Sequence, residues 1–449
     1  MMARNIPEVI DLFSGCGGLA LGFQKAGFTI THGVEIIPEA CETASYNLCW
    51  RFGEPSNHLC ADITKLDPTV FKSKIGPAGC IVIGGPPCQA YSLAGRSKLR
   101  SLGAERVNIN DKRGYLYQDF LRFALGLDAR AIVMENVPEA TNYGGRNIPQ
   151  EVAEILEKND YISKWTILTS SDFGVPQIRE RIVLIAIKRS EKKEIVLPTP
   201  SHSNFDGKLT PGKNRAKSFV RDCKNFLEPI SNERASLPWV TVGDAISDLP
   251  VLFPNEHSRY FLRPINDSLP YKTDATNAFQ VKMRNWYGND NHSCTGHCFR
   301  KTVRDFPIFA RMKQGDDYLE ASRIADELFK EACFANSITA EENPEKYAEL
   351  KKSIVPPYDR SNFISKWQKL SMDKPSHTLV AHLSVDTYSH IHPLEPRGIS
   401  VREAARLQSF PDEFLFQCSM GDAYKQIGNA VPPLMAEAVA RELYNNFEG

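Results

Sequence analysis

A few short segments of this chain carry side chains able to make or break covalent bonds. Cys88 follows Gly84-Gly85-Pro86-Pro87 at the end of the apolar run Cys80 to Ile83. That run reads as a short buried strand, which the glycines end. Two prolines fix φ at successive positions and restrict the residue before each, so Cys88 sits on stiff backbone. In an open α/β sheet, ligands and reacting groups gather at the C-terminal ends of strands. A thiolate there could serve as a nucleophile. Taken alone, a cysteine is more often a buried structural thiol that packs as a small hydrophobe. Glu135 closes a second apolar run, Ala131 to Glu135, and sets a carboxylate at the same sheet edge. A strand-end glutamate is by itself more often solvated or ion-paired. In Gln177-Ile178-Arg179-Glu180-Arg181 the two arginines share period-2 parity, so extended backbone aims both at one face. A surface pair would look the same.

These groups need a frame, and the chain supplies one. Val9 to Phe13 reads as a strand that runs into Ser14-Gly15-Cys16-Gly17-Gly18 and then a helix over Leu19 to Ala26. Glycines there let the backbone approach a ligand, and the helix start offers N–H groups. Glu35 lies 20 residues after Gly15, where an acid holds ribose hydroxyls in nucleotide-binding units. The loop lacks G-x-G-x-x-G spacing, so a tight capping turn and a nicotinamide enzyme both stay open on these residues alone. Further strands are expected to end near Val34-Glu35 and over Cys80–Ile83, Ala131–Glu135, Tyr161–Leu168 and Ile182–Ile187. Helices are expected from Pro38 to about Asn47, near Leu116–Leu127 and over Pro149–Lys158. This alternation predicts an α/β fold with a doubly wound, mostly parallel sheet.

Composition sets bounds. An apolar fraction of 42% and a charged fraction of 24% are those of an ordinary soluble globular protein. No run of 18 apolar residues and no signal-peptide core is visible, so no membrane partner is expected. Eleven scattered cysteines suit reduced thiols in a cytoplasm. The net charge of zero gives no global argument for nucleic acid, so such a partner must rest on local patches.

Six motifs then occur in one order: Asp11-Leu12-Phe13-Ser14-Gly15-Cys16-Gly17-Gly18, Pro86-Pro87-Cys88-Gln89, Glu135-Asn136-Val137, Gln177-x-Arg179-x-Arg181, Arg402 to Pro411, and Gln426-Ile427-Gly428-Asn429-Ala430-Val431-Pro432. The set resembles that of the cytosine-C5 DNA methyltransferases, in their bacterial, restriction-modification form. The resemblance implies a Rossmann-like S-adenosylmethionine domain with a second, smaller target-recognition domain. Phe13, Ser14, Gly15, Cys16, Gly17 and Gly18 would hold S-adenosylmethionine, with Glu35 on its ribose, Asp62 on its adenine, and Pro86 and Asn429 completing the pocket. Cys88 would be the nucleophile, Glu135 the acid at cytosine N3, and Gln177, Arg179 and Arg181 the groups that position acid and base. Cytosine C5 is too weak a nucleophile alone; thiolate addition at C6 puts electron density on C5, and covalent catalysis divides one hard step. Neither carbon is reachable in a duplex, which implies an extruded base.

The resemblance further implies that the polar, basic stretch Ala90 to Arg113 closes over double-stranded DNA, with Ser92, Arg96 and Arg113 as candidate contacts. The expected ranges are 1–196 for catalysis, 197–420 for recognition and 421–449 for a helix returning to the first domain. His297, Arg300 and Arg304 are candidates to support the recognition region or reach DNA. The cluster Asn291 to Cys298 fits no familiar zinc spacing, and no metal is expected. Residues 320 to 349 carry eight acids and three bases and read as an exposed helical insertion facing away from DNA. Arg402–Phe410 is expected to form an amphipathic helix. A monomer on DNA, a cytoplasmic and nucleoid-associated location and a paired restriction endonuclease complete the expectations. Amino-methylating DNA enzymes are disfavoured by Cys88, a tRNA-methylating relative by the large second domain, and a catalytically dead paralogue by the complete residue set.

Overall fold

The computed structural model describes residues 6–56, 58–87, 115–204, 214, 218–219, 223–253, 264–289, 291–360 and 366–448. Among them the chain forms two compact units, one of Met1–Trp239, Gln408–Phe410 and Asn429–Gly449, the other of Val240–Leu407 and Pro411–Gly428.

The first unit is built on a seven-stranded sheet: β1 (Glu8–Leu12), β2 (Ile30–Glu35), β3 (His58–Cys60), β4 (Cys80–Gly84), β5 (Ala131–Asn136), β6 (Tyr161–Thr169) and β7 (Glu180–Lys188). Their order is β3-β2-β1-β4-β5-β7-β6. The pairs β1–β2, β2–β3, β1–β4 and β4–β5 are parallel, whereas β7 runs antiparallel to both β5 and β6. All five residues of β4 are buried, as expected of a strand covered on both faces. The sheet is thus the mostly parallel, doubly wound one expected. β3, three residues long, leaves no periodic signal in the sequence.

Strand order reverses between β1 and β4, and a crevice at such a switch point is where α/β folds bind ligands. Leu12 and Gly84 pair at the ends of these two strands. The glycine loop and Gly85-Pro86-Pro87 therefore leave the sheet side by side. Helix α1 (Gly18–Ala26) follows the loop, and Gly27 (φ 112°) ends it in the left-handed region, where glycine carries no Cβ penalty. Helix α2 (Pro38–Leu48) has its proline in the first turn, where no N–H is needed. Helices α3 (Leu116–Gly126) and α4 (Ile148–Lys158) cover the sheet with Phe120, Phe123, Val152 and Leu156.

The division of the chain departs from the expected ranges 1–196, 197–420 and 421–449. Residues after 197 stay with the first sheet because Ser201 N–H donates to Asp172 O (3.0 Å), and Asn225 O accepts from Trp165 N–H (2.9 Å). Phe226 also stacks edge-on to Trp165, and Trp239 Nε1 donates to Asp172 Oδ1 (3.0 Å).

In the second unit, helix α5 (Tyr318–Asn336) corrects the picture of an exposed insertion. Tyr318, Ala321, Ser322, Ile324, Ala325 and Phe329 are buried, and most of this face joins an apolar cluster with Phe309 and Trp367. The following helix, α6 (Pro344–Ile354), has no buried residue. Helix α7 (Val401–Leu407) is not amphipathic: all seven residues are buried. Its arginines tolerate this because both are saturated. Arg402 donates to the carbonyls of Thr295, Pro411 and Phe414, while Arg406 pairs with Asp412 and Asp248. No described helix is long and apolar enough to cross a membrane.

Candidate active site

Phe13 (φ 57°), Gly15 (φ 54°) and Gly17 (φ 91°) all adopt left-handed backbone, which folds the loop tightly after β1. Glu35, buried at the end of β2, accepts from Gly15 N–H through Oε2 (2.8 Å) and from Ile37 N–H through Oε1 (2.9 Å). One carboxylate thereby ties the loop to the start of α2. A Cβ added to Gly15 would meet nothing within 4 Å, so the loop has an open side. Asp11 is buried beneath it. Burial, and then the charge of Glu35, hold its carboxyl well above the usual range. Ser14 and Cys16 are buried, their backbone closing the turn through Ser14 N–H to Val34 O (3.1 Å). Asp62 is half-buried and caps a short turn, accepting from Thr64 N–H (3.1 Å) and Oγ (2.7 Å); these bonds hold its carboxyl low.

Asn429 is exposed at the end of α8 (Met420–Asn429). The next residues pack on α1, since a Cβ on Gly18 would fall 2.5 Å from Val431 O and 3.2 Å from Ala430 Cβ.

Glu135 sits at the end of β5. Its register partner is Val183, and Arg181 stands two positions along β7 on the same face. Arg181 Nε donates to Glu135 Oε1 at 2.8 Å, with the side chains 12% and 13% exposed. Burial raises the Glu135 carboxyl from its ordinary range, and Arg181 and then Arg179 oppose that shift. A Cβ on Gly85 would lie 3.0 Å from Glu135 Oε2, so the carboxyl abuts the segment leading to Cys88. Arg179 and Gln177 are buried. Ser170 staples both: its hydroxyl donates to Gln177 O (2.6 Å) and accepts from Arg179 N–H (3.1 Å). Cys88 itself lies outside the described residues, as do Ser92, Arg96, Arg113 and the rest of 88–114.

Three contributors escape a reading by residue type. Asn136 Nδ2 donates to Pro86 O (3.3 Å), and Asn136 Oδ1 accepts from Val137 N–H (2.9 Å), which fixes the buried Pro86 against β5. Gln408 accepts from Gln177 Nε2 and donates to Ala430 O (2.5 Å), joining the arginine segment to the stretch beside α1. Asp11 completes the loop's acidic floor. All three stand inside motifs quoted above, but nothing in their residue type announces these contacts.

The His297 ring is buried, with Nδ1 against Ser400 Oγ (2.9 Å) and Nε2 against Pro250 O (2.6 Å), a placement that suits the supporting role among its two expected ones. Arg300 is half-buried, donating to Ser384 O, and Arg304 pairs with Asp305 at 2.6 Å.

The match to known proteins decides the family. Residues 8–445 fit the family model for C-5 cytosine-specific DNA methylases. The chain belongs to that family. M.OihORF3336P of Oceanobacillus iheyensis, named as a type II methyltransferase, is 52% identical over 449 residues, covering 99% of this chain and 97% of its own. The type II methyltransferase M.AgeI of Thalassovita gelatinovora is 30% identical, covering 97% and 99%. A crystal structure of a DNA modification methyltransferase encoded within an E. coli prophage matches with a TM-score of 0.63 at 25% identity, covering 98% of each chain. This C-5 cytosine methylase is therefore a DNA-methylating enzyme whose Glu135–Arg181 pair and glycine loop flank one switch point of its sheet.

Proposed function

We propose that this enzyme transfers a methyl group from S-adenosylmethionine to C5 of a cytosine extruded from a specific duplex sequence, through a covalent bond between Cys88 Sγ and cytosine C6. The observation that carries this reading is the largely enclosed Glu135–Arg181 pair against Gly85, three residues before Cys88.

The loop suits that cofactor. Its open side at Gly15 gives room, and the Glu35 carboxylate bound to the loop favours a cation such as a sulfonium or ammonium over a pyrophosphate. Phe13, Ser14, Gly15, Cys16, Gly17, Gly18, Glu35, Asp62, Pro86 and Asn429 would hold it. When bound, it supplies an electrophilic methyl group.

Cys88, as thiolate, adds to C6 while Glu135, protonated, gives its proton to N3; the ring becomes enamine-like and C5 nucleophilic. Arg181 and Arg179 orient the carboxyl, and Gln177 fixes their segment through Gln408. After methylation, loss of the C5 proton to a base expels Cys88 and restores the aromatic ring. Extruding the base costs roughly a few kcal/mol, repaid by contacts in the pocket. The second unit is assigned target recognition, with Arg300 and Arg304 as its supports and Ser92, Arg96 and Arg113 as phosphate contacts from the first. The enzyme is read as a monomer on DNA in the bacterial cytoplasm and nucleoid, working as a type II methyltransferase beside a restriction endonuclease.

A duplex with 5-fluorocytosine at the target tests the covalent step, because C5 then has no removable proton. The expected result is an adduct on Cys88 by peptide mass mapping, and an adduct on another cysteine overturns the assignment. Cys88→Ser is expected to keep DNA binding and lose almost all methyl transfer.

A further inference from the structure

Two cysteines outside the methylation chemistry meet beside the glycine-loop acid. Cys60 ends β3, paired in register with Glu35 and two residues before Asp62. Among the described cysteines it alone is exposed. Its thiol faces Ile36 O at 4.0 Å. Cys41, buried in the first turns of α2, points its thiol at His58 O (3.8 Å), two residues before Cys60. The Cys41 sulfur thus faces the first residue of the short strand that Cys60 ends, and the Cys60 sulfur faces a residue between β2 and the start of α2. Burial pushes the Cys41 thiol up to about 11, and the next contribution is the Cys60 thiol, with Glu35 also acting on it.

We propose that Cys41 and Cys60 are a peroxide-sensitive pair, forming a reversible disulfide that weakens binding at the adenosine end of the cofactor site. The link to the cofactor rests on reading Glu35 and Asp62 as its contacts.

The exposed Cys60 reacts first. Its thiolate attacks one oxygen of hydrogen peroxide, the S–O bond forms as O–O breaks, and the departing hydroxide takes a proton to give water, leaving a sulfenic acid. Cys41 then attacks the Cys60 sulfur, the S–S bond forms as S–O breaks, and a second water leaves with the Cys41 proton. Two thiols lose two electrons, and one peroxide becomes two waters. Because burial holds the Cys41 thiol mostly protonated, its attack is the slow step and the sulfenic acid on Cys60 persists before the disulfide closes.

The bond reaches the site through Glu35. A disulfide holds its Cα atoms roughly 4.4–6.8 Å apart, so it would tie the start of α2 to the end of β3. Ile37 N–H, at that start, is bound to the same carboxylate that holds Gly15 N–H. A shift of α2 therefore alters both ends of the Glu35 clamp. Linkage runs in both directions, so bound cofactor must also shift the equilibrium away from the disulfide.

The full-length protein is treated with hydrogen peroxide, alkylated and digested without reductant, and S-adenosylmethionine affinity is measured by calorimetry before and after. The expected outcome is a Cys41–Cys60 linked peptide that reductant removes, and affinity on the order of tenfold weaker in the oxidised protein. Cys41→Ser is expected to leave a sulfenic acid on Cys60 that dimedone traps. Cys60→Ser, a change at an exposed position, is expected to leave Cys41 reduced and affinity insensitive to peroxide. Oxidation of Cys60 with no linked peptide overturns the disulfide, and a linked peptide with unchanged affinity overturns its effect. If the reduced protein fails to bind S-adenosylmethionine, the cofactor reading falls, and the peptide map still decides the disulfide.

Discussion

Glu135 is held between opposing influences. Burial favours its neutral form, and Arg181 and Arg179 favour the carboxylate. An acid that must give a proton works below its pKa and is lost as pH rises through it, so kcat is expected to fall on the alkaline side. Arg181→Ala removes a lowering influence, so that limb should move to higher pH; a shift to lower pH would contradict the role. Glu135→Gln keeps a hydrogen-bond donor but no proton to transfer. It is expected to lower kcat by about 10²–10⁴-fold and abolish the limb, with DNA affinity retained in a gel-shift assay. The Glu135, Arg179 and Arg181 grouping is legible in the sequence because the residue types are ionisable and their parity is local, whereas Cys88 lies outside the described residues. Asn136 and Gln408 are not legible, because their partners lie 50 and 231 residues away. An amide announces nothing until the chain returns to it.

Among the elements, α1 is matched to α9 (Pro433–Glu448) by the absence of side chains. A Cβ on Gly22 would fall 2.4 Å from Ala436 Cβ and 2.6 Å from both Glu437 N and Pro433 O. Two of those atoms are backbone, so Gly22→Ala must separate the helices. The expected cost is about 1–3 kcal/mol, seen as a lower midpoint in thermal unfolding, and an unchanged midpoint would refute the packing. Apart from the three-residue β3, the main strands and helices of the first unit are legible because period-2 and period-3.6 patterns are local. The reading of 402–410 as amphipathic fails for the opposite reason. Charged residues read as a solvated face, but Asp248 and Asp412 arrive to neutralise Arg406 inside the core. Pattern alone cannot foresee a buried ion pair.

For the molecule as a whole, histidine burial sets its response to acid. His58, His377 and His392 are pushed down to about 4 by burial, and His32, His297 and His390 are also lowered. Between about 6.5 and 4 the unfolded chain binds protons that the folded chain refuses, so stability falls as pH falls through that window. Each such ring costs on the order of 1 kcal/mol at one pH unit below 6.5. Unfolding midpoints are expected to drop between pH 7.5 and 5.5; a flat profile would overturn this account. The first unit also draws on both ends of the sequence, since α1 is completed by α9, about 400 residues later. At roughly 5–20 residues per second of synthesis, the glycine face of α1 waits about 20–80 s on the ribosome for its partner. A nascent chain therefore has no finished packing behind its glycine loop, and the methylase is expected to become competent only after residues 433–448 have emerged. Ribosome stalling or premature stop codons late in the message should yield inert fragments rather than enzymes of relaxed specificity.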